Sequence, residues 1–133
     1  MKCISIKQPW ATLIILHGKD VENRTWGTNY TGPLLIHSSK TYDHDGDMYL
    51  HSMRIFRDIS AFLPSELPSG AIIGKVELIG CWPRSFFREV PSRWFFGPWG
   101  WILENPVAFK KPIPYKGQLG IFDVPDDVIK GGL

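Results

Sequence analysis

The residues with the most evident chemical potential stand together between Gly18 and Trp26. Arg24 can hold a phosphate or the edge of a base with its planar set of donors. Lys19 can place a point charge against a phosphate, and Glu22 can accept hydrogen bonds from a base amine or orient Arg24. The charge pattern alone favours a plainer structure, an exposed edge strand whose charges discourage pairing with other chains. A binding site and a decorated edge both remain open at this point.

The strand predicted from Lys19 to Trp26 limits how these residues can meet. In a regular strand Glu22, Arg24 and Trp26 lie on one face and Lys19 on the other. A site that uses both Lys19 and Glu22 therefore requires Lys19 to lie before the strand begins, or a bulge between the two residues.

Two further clusters contain groups able to do chemistry. His37 ends an apolar strand, Leu34–His37, where a histidine is most often a hydrogen-bonded structural residue; beside Lys19 or Arg24 it can instead act as a general base. Asp43–Asp47 resembles an EF-hand only superficially, because Gly46 comes too early and Arg54 stands where that loop needs a glutamate. A solvated loop that caps the next helix is the favoured structure, and no metal site is predicted.

Aromatic residues make up 14% of the chain and include six tryptophans. Between Trp82 and Trp99 they alternate with arginines, a mixture that fits unpaired bases and fits equally a loop that closes one end of the fold. We expect Trp26, Trp82 or Trp99 to stack on a base. For Trp10, Trp94 and Trp101 we expect packing in the core.

Composition narrows the class of protein. A chain of 133 residues with 44% hydrophobic residues fits one folded domain, residues 1–133. A net charge of +2 neither requires nor excludes nucleic acid, since a local patch matters more than the sum. Cys3 and Cys81 are expected to be buried free thiols. The N-terminus shows no signal-peptide pattern and no apolar stretch is long enough for a membrane, so we expect a cytoplasmic protein without membrane contact.

The predicted elements are several short strands with two helices inserted early in the chain. A strand at 3–6 precedes a buried helix that opens at Pro9 and stops at Gly18, and a second helix runs from about Asp47 to Phe56. Later strands are predicted at 71–81, where two glycines indicate kinks or bulges, at 101–103, at 107–109 after a turn, and at 119–124. This pattern indicates an α+β fold.

Several motifs follow one another in the order found in one known family. They are ISIKQPWA (4–11), GKDVENR (18–24), YTGPLLIH (30–37), PSGAIIGKV (68–76) and PYKG (114–117) leading into Ile121 and Phe122. In these motifs the chain resembles the ASCH family, named after a homology domain of activating signal cointegrator. The resemblance implies a small, mostly antiparallel PUA-like β-barrel with two or three flanking helices beside a cleft.

The resemblance also implies a ligand, namely RNA, a modified nucleoside or, more generally, nucleic acid. No cofactor is expected. The family's motif positions fall on Gln8, Trp10, Lys19, Glu22, Arg24 and His37. Its presumed site falls on Lys19, Glu22 and Arg24. With Trp26 and Trp82 added as stacking residues, we expect these side chains to bind the ligand, apart from Trp10, which is expected in the core.

Two other functions remain open. Some family members are small amidohydrolases that remove an acyl group from cytidine through a Lys–Thr–Glu arrangement; Lys19 matches the lysine, but Glu22 stands at the threonine position, and Glu89 is the candidate for the missing carboxylate. If the protein is an enzyme acting on acylated cytidine or on RNA, we expect Lys19 and Glu22 to be catalytic. A protein-interaction module with a decorated edge strand is the third possibility.

Overall fold

The computed structural model describes residues 1–52 and 66–130. The strands of this part of the chain are β1 (Lys2–Gln8), β2 (Val21–Arg24), β3 (Gly32–Tyr42), β4 (Ala71–Pro83), β5 (Trp99–Pro114) and β6 (Ile121–Asp123). The helices are α1 (Trp10–Leu16), α2 (His44–Ser52) and α3 (Asp126–Ile129), and a short 3₁₀ turn, Arg84–Phe86, follows β4.

The six strands form one sheet in the order β2-β5-β4-β3-β1-β6. Within residues 1–52 and 66–130, only β1 and β3 run parallel, and the other neighbouring pairs are antiparallel. The predicted α+β class, with a mostly antiparallel sheet and flanking helices, is confirmed. The sheet differs from a complete barrel because it is not closed: the short edge strands β2 and β6 each pair on one side only among the described residues.

Strand β4 carries the bulges that its glycines predict. Its register against β5 shifts next to Gly74 and again next to Gly80. At Gly74 a Cβ atom would lie 2.4 Å from the carbonyl oxygen of Val107, so only glycine lets the two backbones approach this closely. The sheet continues through these shifts as one unit.

One predicted turn is wrong. We expected the chain to turn at 104–106 between two strands, but β5 runs without interruption from Trp99 to Pro114. Asn105 takes a positive φ of 54°, and the register shift opposite it absorbs the irregularity as a bulge. The turn-forming residues therefore mark a bulge within a strand.

The other elements differ from expectation mainly at their ends. The strand predicted from Lys19 to Trp26 contains only Val21–Arg24. Helix α2 begins earlier than predicted because Asp43 caps it, with Oδ1 accepting a hydrogen bond from the amide of Gly46 at 2.9 Å. The predicted continuation of this helix over 53–56 lies outside the described residues.

Helix α1 packs against the sheet and is buried as predicted from Ala11 to Ile15. It ends before Gly18, whose φ of 75° is readily adopted by glycine. Ile14 and Ile15 join the main core cluster with residues from β1, β3 and β4, while Leu13 belongs to a second cluster with residues such as Leu50 and Trp94. Cys3 is buried and Cys81 partly buried, and both are free thiols.

Candidate functional site

A cleft of about 1170 Å³ opens beside α1. Its walls come from β1, β2, β3, the loop that contains Phe96, and the chain from Pro114 to Gly120. Of the residues predicted to bind a ligand, Lys19, Glu22, Arg24 and His37 line this cleft.

Lys19 lies at the inner wall of the cleft and is 2% exposed. It precedes β2, which removes the conflict of strand parity with Glu22. Its Nζ donates to the carbonyl oxygen of Val21 and lies 3.4 Å from Glu22 Oε1, while the ring of Trp10 lies 5.3 Å away. Burial lowers the pKa of Lys19, and the carboxylate of Glu22 opposes that change.

The carboxylate of Glu22 forms salt bridges with two cationic side chains. Its Oε1 faces Lys19, and its Oε2 accepts a hydrogen bond from Arg24 Nε at 3.0 Å. Arg24 also donates from Nη2 to the backbone oxygen of Ser5 at 2.9 Å. Strand β2 is an edge strand, but Lys19 and Glu22 are buried and Arg24 is partly buried. These three charges therefore form an internal network and not the solvated decoration that the charge pattern favours.

His37 is 2% exposed and both of its ring nitrogens have partners. Nε2 lies 2.7 Å from the carbonyl oxygen of Tyr115, and Nδ1 lies 2.8 Å from Ser5 Oγ. Because Ser5 and His37 are register partners on the parallel strands β1 and β3, the pairing places both at one wall of the cleft. Ser5 is a cleft residue that the sequence did not single out.

The aromatic residues of the cleft differ from those expected. Trp10, expected in the core, is only partly buried; it lines the cleft, and its Nε1 donates to Asp43 Oδ2 at 2.8 Å. Trp10 lies at the start of α1 and faces the opening of the cleft. The sequence did not predict this, because apolar residues occur on nearly all sides of the helix. Phe96 lies beside it, with ring centroids 5.8 Å apart. Trp94 and Trp101 are buried as expected.

Three predicted ligand-binding residues lie outside the lining of this cleft. Gln8 is buried. Its side-chain amide accepts a hydrogen bond from the backbone N–H of Thr12 in α1 and donates one to the carbonyl oxygen of Pro68, so it links α1 to the segment that precedes β4. Trp26 packs edge-on against Trp101 at 4.9 Å. Trp82 lines a smaller groove of about 350 Å³. Glu89, the candidate second carboxylate, is exposed and lines neither cavity.

The lining is more basic than the whole chain. Its cationic residues are Lys7, Lys19, Arg24, Lys40 and Lys116, and its acidic residues are Glu22 and Asp43. Besides Lys19, two of these lysines stand in motifs of the sequence, Lys7 in ISIKQPWA and Lys116 in PYKG, although neither was singled out there. Lys40 lies in none of the motifs.

Neither a metal site nor a membrane helix is found in the described part of the chain. No three histidine, cysteine, aspartate or glutamate side chains converge there as ligands for a metal ion. Asp43 instead holds Trp10 and the start of α2. Across residues 1–52 and 66–130, no helix has the length and apolar character required to cross a bilayer.

Comparison with known proteins places the chain in a family. A model of the ASCH domain matches residues 4–116. The chain belongs to the ASCH domain family. This ASCH domain is 31% identical over 134 residues to activating signal cointegrator 1 of Homo sapiens and 29% identical to the Mus musculus protein of that name. Each alignment covers 97% of this chain and 23% of the relative's length.

The fold is shared with a solved bacterial structure. ASCH from Zymomonas mobilis superposes with a TM-score of 0.56 at 13% identity, covering 98% of this chain and 91% of that protein. At this identity the likeness is one of fold. It confirms the ASCH and PUA-like architecture that the sequence motifs predicted.

Proposed function

We propose that this ASCH domain binds RNA and holds one unpaired nucleoside in the cleft beside α1. The observation that carries the proposal is the composition of the cleft, which combines aromatic rings, an anchored arginine and exposed lysines in one cavity. Single-stranded RNA is recognised through this combination, because bases stack on aromatic side chains while cations follow the phosphates.

The charge of the cleft supports an anionic ligand. The whole chain carries only +2, but among the described residues the lining has five cationic residues and two acidic ones. Both acidic residues already accept hydrogen bonds, Glu22 from Arg24 and Asp43 from Trp10. Lys40 and Lys116 are exposed, so their charges are available to phosphates that pass the mouth of the cleft.

Arg24 is suited to read the ligand. Glu22 and the backbone oxygen of Ser5 fix its guanidinium, and its Nη1 donates to no acceptor among the described residues. A guanidinium held in this way loses little conformational freedom when it binds a phosphate or a base edge. Trp10 and Phe96 provide faces on which a base can stack, at about 1–3 kcal/mol per base.

The test is a titration with short single-stranded oligouridine, followed by tryptophan fluorescence at several salt concentrations. The slope of log affinity against log salt reports the number of phosphates neutralised, with about 0.7 per phosphate for a single strand. We expect Lys116→Ala and Lys40→Ala each to lower that slope by about 0.7. Lys110→Ala is the matched control, since Lys110 is an exposed lysine outside the cleft and should leave the slope unchanged.

Each alternative function gives a different result in this titration. No binding at low salt overturns the proposal and leaves the protein-interaction module. Equal losses in Lys110→Ala and Lys116→Ala place binding elsewhere than the cleft. Turnover of acylated cytidine that disappears in Lys19→Ala would instead support the hydrolase in which Lys19 and Glu22 are catalytic.

A further inference from the structure

One pair of side chains in the cleft has a geometry that RNA binding does not require. Ser5 Oγ lies 2.8 Å from His37 Nδ1, and His37 Nε2 lies 2.7 Å from the carbonyl oxygen of Tyr115. A hydroxyl, an imidazole in hydrogen-bond contact with it, and a third group that orients the imidazole form the general arrangement of an activated nucleophile.

The hydrogen bonds define which nitrogen of His37 can act as a base. A carbonyl oxygen only accepts, so the neutral ring carries its proton on Nε2 and donates it to Tyr115. Nδ1 is then left with a lone pair that accepts the hydroxyl proton of Ser5. The same carbonyl oxygen would stabilise the imidazolium that forms once Nδ1 takes that proton.

The surroundings of the pair place it against the cavity. Ser5 is partly exposed and both residues line the cleft. Gly117 approaches so closely that a Cβ there would lie 2.8 Å from His37 Cε1 and 3.0 Å from Ser5 Oγ, so the absence of a side chain allows the loop to lie on the pair. Arg24 donates to the backbone oxygen of Ser5 at 2.9 Å, which sets a fixed cation beside the serine.

We infer that Ser5 and His37 form a nucleophile and base that hydrolyse carboxylic esters bound in this cleft. Ser5 Oγ bonds to the acyl carbon as its proton moves to His37 Nδ1, and Arg24 stabilises the negative charge on the carbonyl oxygen. The ester C–O bond then breaks, and the leaving alcohol takes the proton from Nδ1. Water attacks the acyl-serine in the same way and releases the acid, which regenerates Ser5. This activity goes beyond the proposed RNA binding and shares the cleft and Arg24 with it.

The test uses p-nitrophenyl acetate with the full chain. We expect a burst of p-nitrophenolate stoichiometric with protein, and a single acetyl group that peptide mapping places on Ser5. Ser5→Ala should lose both the burst and the label, and His37→Gln should slow acylation by roughly 10²-fold or more. Ser52→Ala is the matched control, because Ser52 is an exposed serine on α2 that donates to a backbone oxygen and should leave the rate unchanged.

Circular dichroism and urea midpoints show which variants remain folded, and the mapped acetyl group on wild-type protein is informative without any variant. An absent burst and an unlabelled Ser5 overturn the inference, as does turnover that persists in Ser5→Ala. The same wild-type preparation is titrated with oligouridine. RNA binding without acylation overturns the esterase alone, whereas acylation without RNA binding overturns the proposed function alone.

Discussion

At the scale of single residues, the molecule depends on one carboxylate shared by two cations. Glu22 lies 3.4 Å from the ammonium of Lys19 and 3.0 Å from Arg24 Nε. Lys19 has almost no contact with solvent, so Glu22 supplies the compensating charge that water would otherwise provide.

Glu22→Gln should therefore destabilise the fold strongly while changing the side-chain shape very little. We expect the free energy of unfolding to fall by about 3 kcal/mol, since the buried Lys19 ammonium loses its counter-charge. Urea denaturation at neutral pH measures the loss. Glu104→Gln is the control, because Glu104 is an exposed glutamate on β5 and its neutralisation should cost less than about 0.5 kcal/mol.

A second variant separates the ion pair from general damage. Removing both charges in Lys19→Met with Glu22→Gln should cost less than the sum of the single changes, because the double variant no longer contains a Lys19 ammonium without its counter-charge. Additive losses would show that Lys19 and Glu22 do not stabilise each other.

The buried thiol of Cys3 should make the stability of the fold depend on pH in the alkaline range. Burial raises the pKa of Cys3 to about 12 in the folded protein from a usual value of 9.0. Above the lower value the unfolded chain releases the proton and the folded chain keeps it, so the free energy of unfolding falls as pH rises. The slope of this contribution approaches about 1.4 kcal/mol per pH unit.

Urea denaturation of wild type and Cys3→Ala between about pH 8 and pH 11 isolates this effect. The variant is expected to be less stable near pH 8, because it leaves a cavity, but to lose stability less steeply above that pH. Other raised pKa values, such as that of Tyr42, act equally on both proteins. Parallel curves for the two proteins would contradict the prediction.

The sequence identified some site residues and missed others for a physical reason. Lys19, Glu22 and Arg24 stand in one short motif, so they were selected together and the structure places them in one cleft. His37 was selected as well, because it ends a motif, but Ser5 was missed. Ser5 and His37 are distant in the chain and meet only through the parallel register of β1 and β3, which no local pattern contains.

At the scale of elements, strand β2 holds the loop that forms one wall of the cleft. Asn23 Nδ2 donates to the oxygen of Trp94, and Asn23 Oδ1 accepts from the amides of Phe96 and Gly97. One side chain therefore fixes three backbone groups and sets the position of the Phe96 ring.

Asn23→Ala should remove the hydrogen bonds that hold the Trp94–Gly97 segment in place at the cleft. Loss of three hydrogen bonds of about 1 kcal/mol each predicts a decrease of roughly 2–3 kcal/mol in the free energy of unfolding. We also expect weaker oligouridine binding at a temperature where the variant is folded, because Phe96 no longer faces Trp10 at a fixed distance. Urea denaturation and fluorescence titration measure the two effects.

Asn23→Asp is the informative comparison, since it keeps the acceptor for Phe96 and Gly97, loses the donor to Trp94 and adds a negative charge. At high salt, where that charge is screened, it should retain more RNA affinity than Asn23→Ala. Equal affinity in wild type and both variants would show that the position of Phe96 does not matter for binding.

The least predictable feature of the fold was where one strand stops and the next begins. The residues at 104–106 have turn chemistry, but β4 opposite them shifts register and continues to pair, so β5 forms one long strand. Pairing between distant segments decided the outcome, and no local pattern contains that pairing. By contrast, α1 was predictable because a prolyl start, an apolar run and Gly18 all agree locally.

At the scale of the whole molecule, α1 connects two parts of the core. Its Ile14 and Ile15 pack with residues of the sheet, and its Leu13 packs in a second cluster with Val21 and Leu50. The α+β class followed from the predicted strands and helices. Whether the sheet closes into a barrel depends instead on the distance between its edge strands β2 and β6. That distance is set only when the whole sheet has assembled, so no local sequence pattern predicts it.

Leu13→Ala tests whether the two clusters unfold together. Leu13 is fully buried, so the cavity should cost about 2–5 kcal/mol. Because α1 carries residues of both clusters, urea curves followed by tryptophan fluorescence and by far-UV circular dichroism should coincide in a single transition. Leu16→Ala is the matched control on the same helix, since Leu16 is 61% exposed and its loss should cost less than about 0.5 kcal/mol. Two separate transitions would show that α1 does not couple the clusters, and equal costs for the two leucines would show that Leu13 is not a core residue.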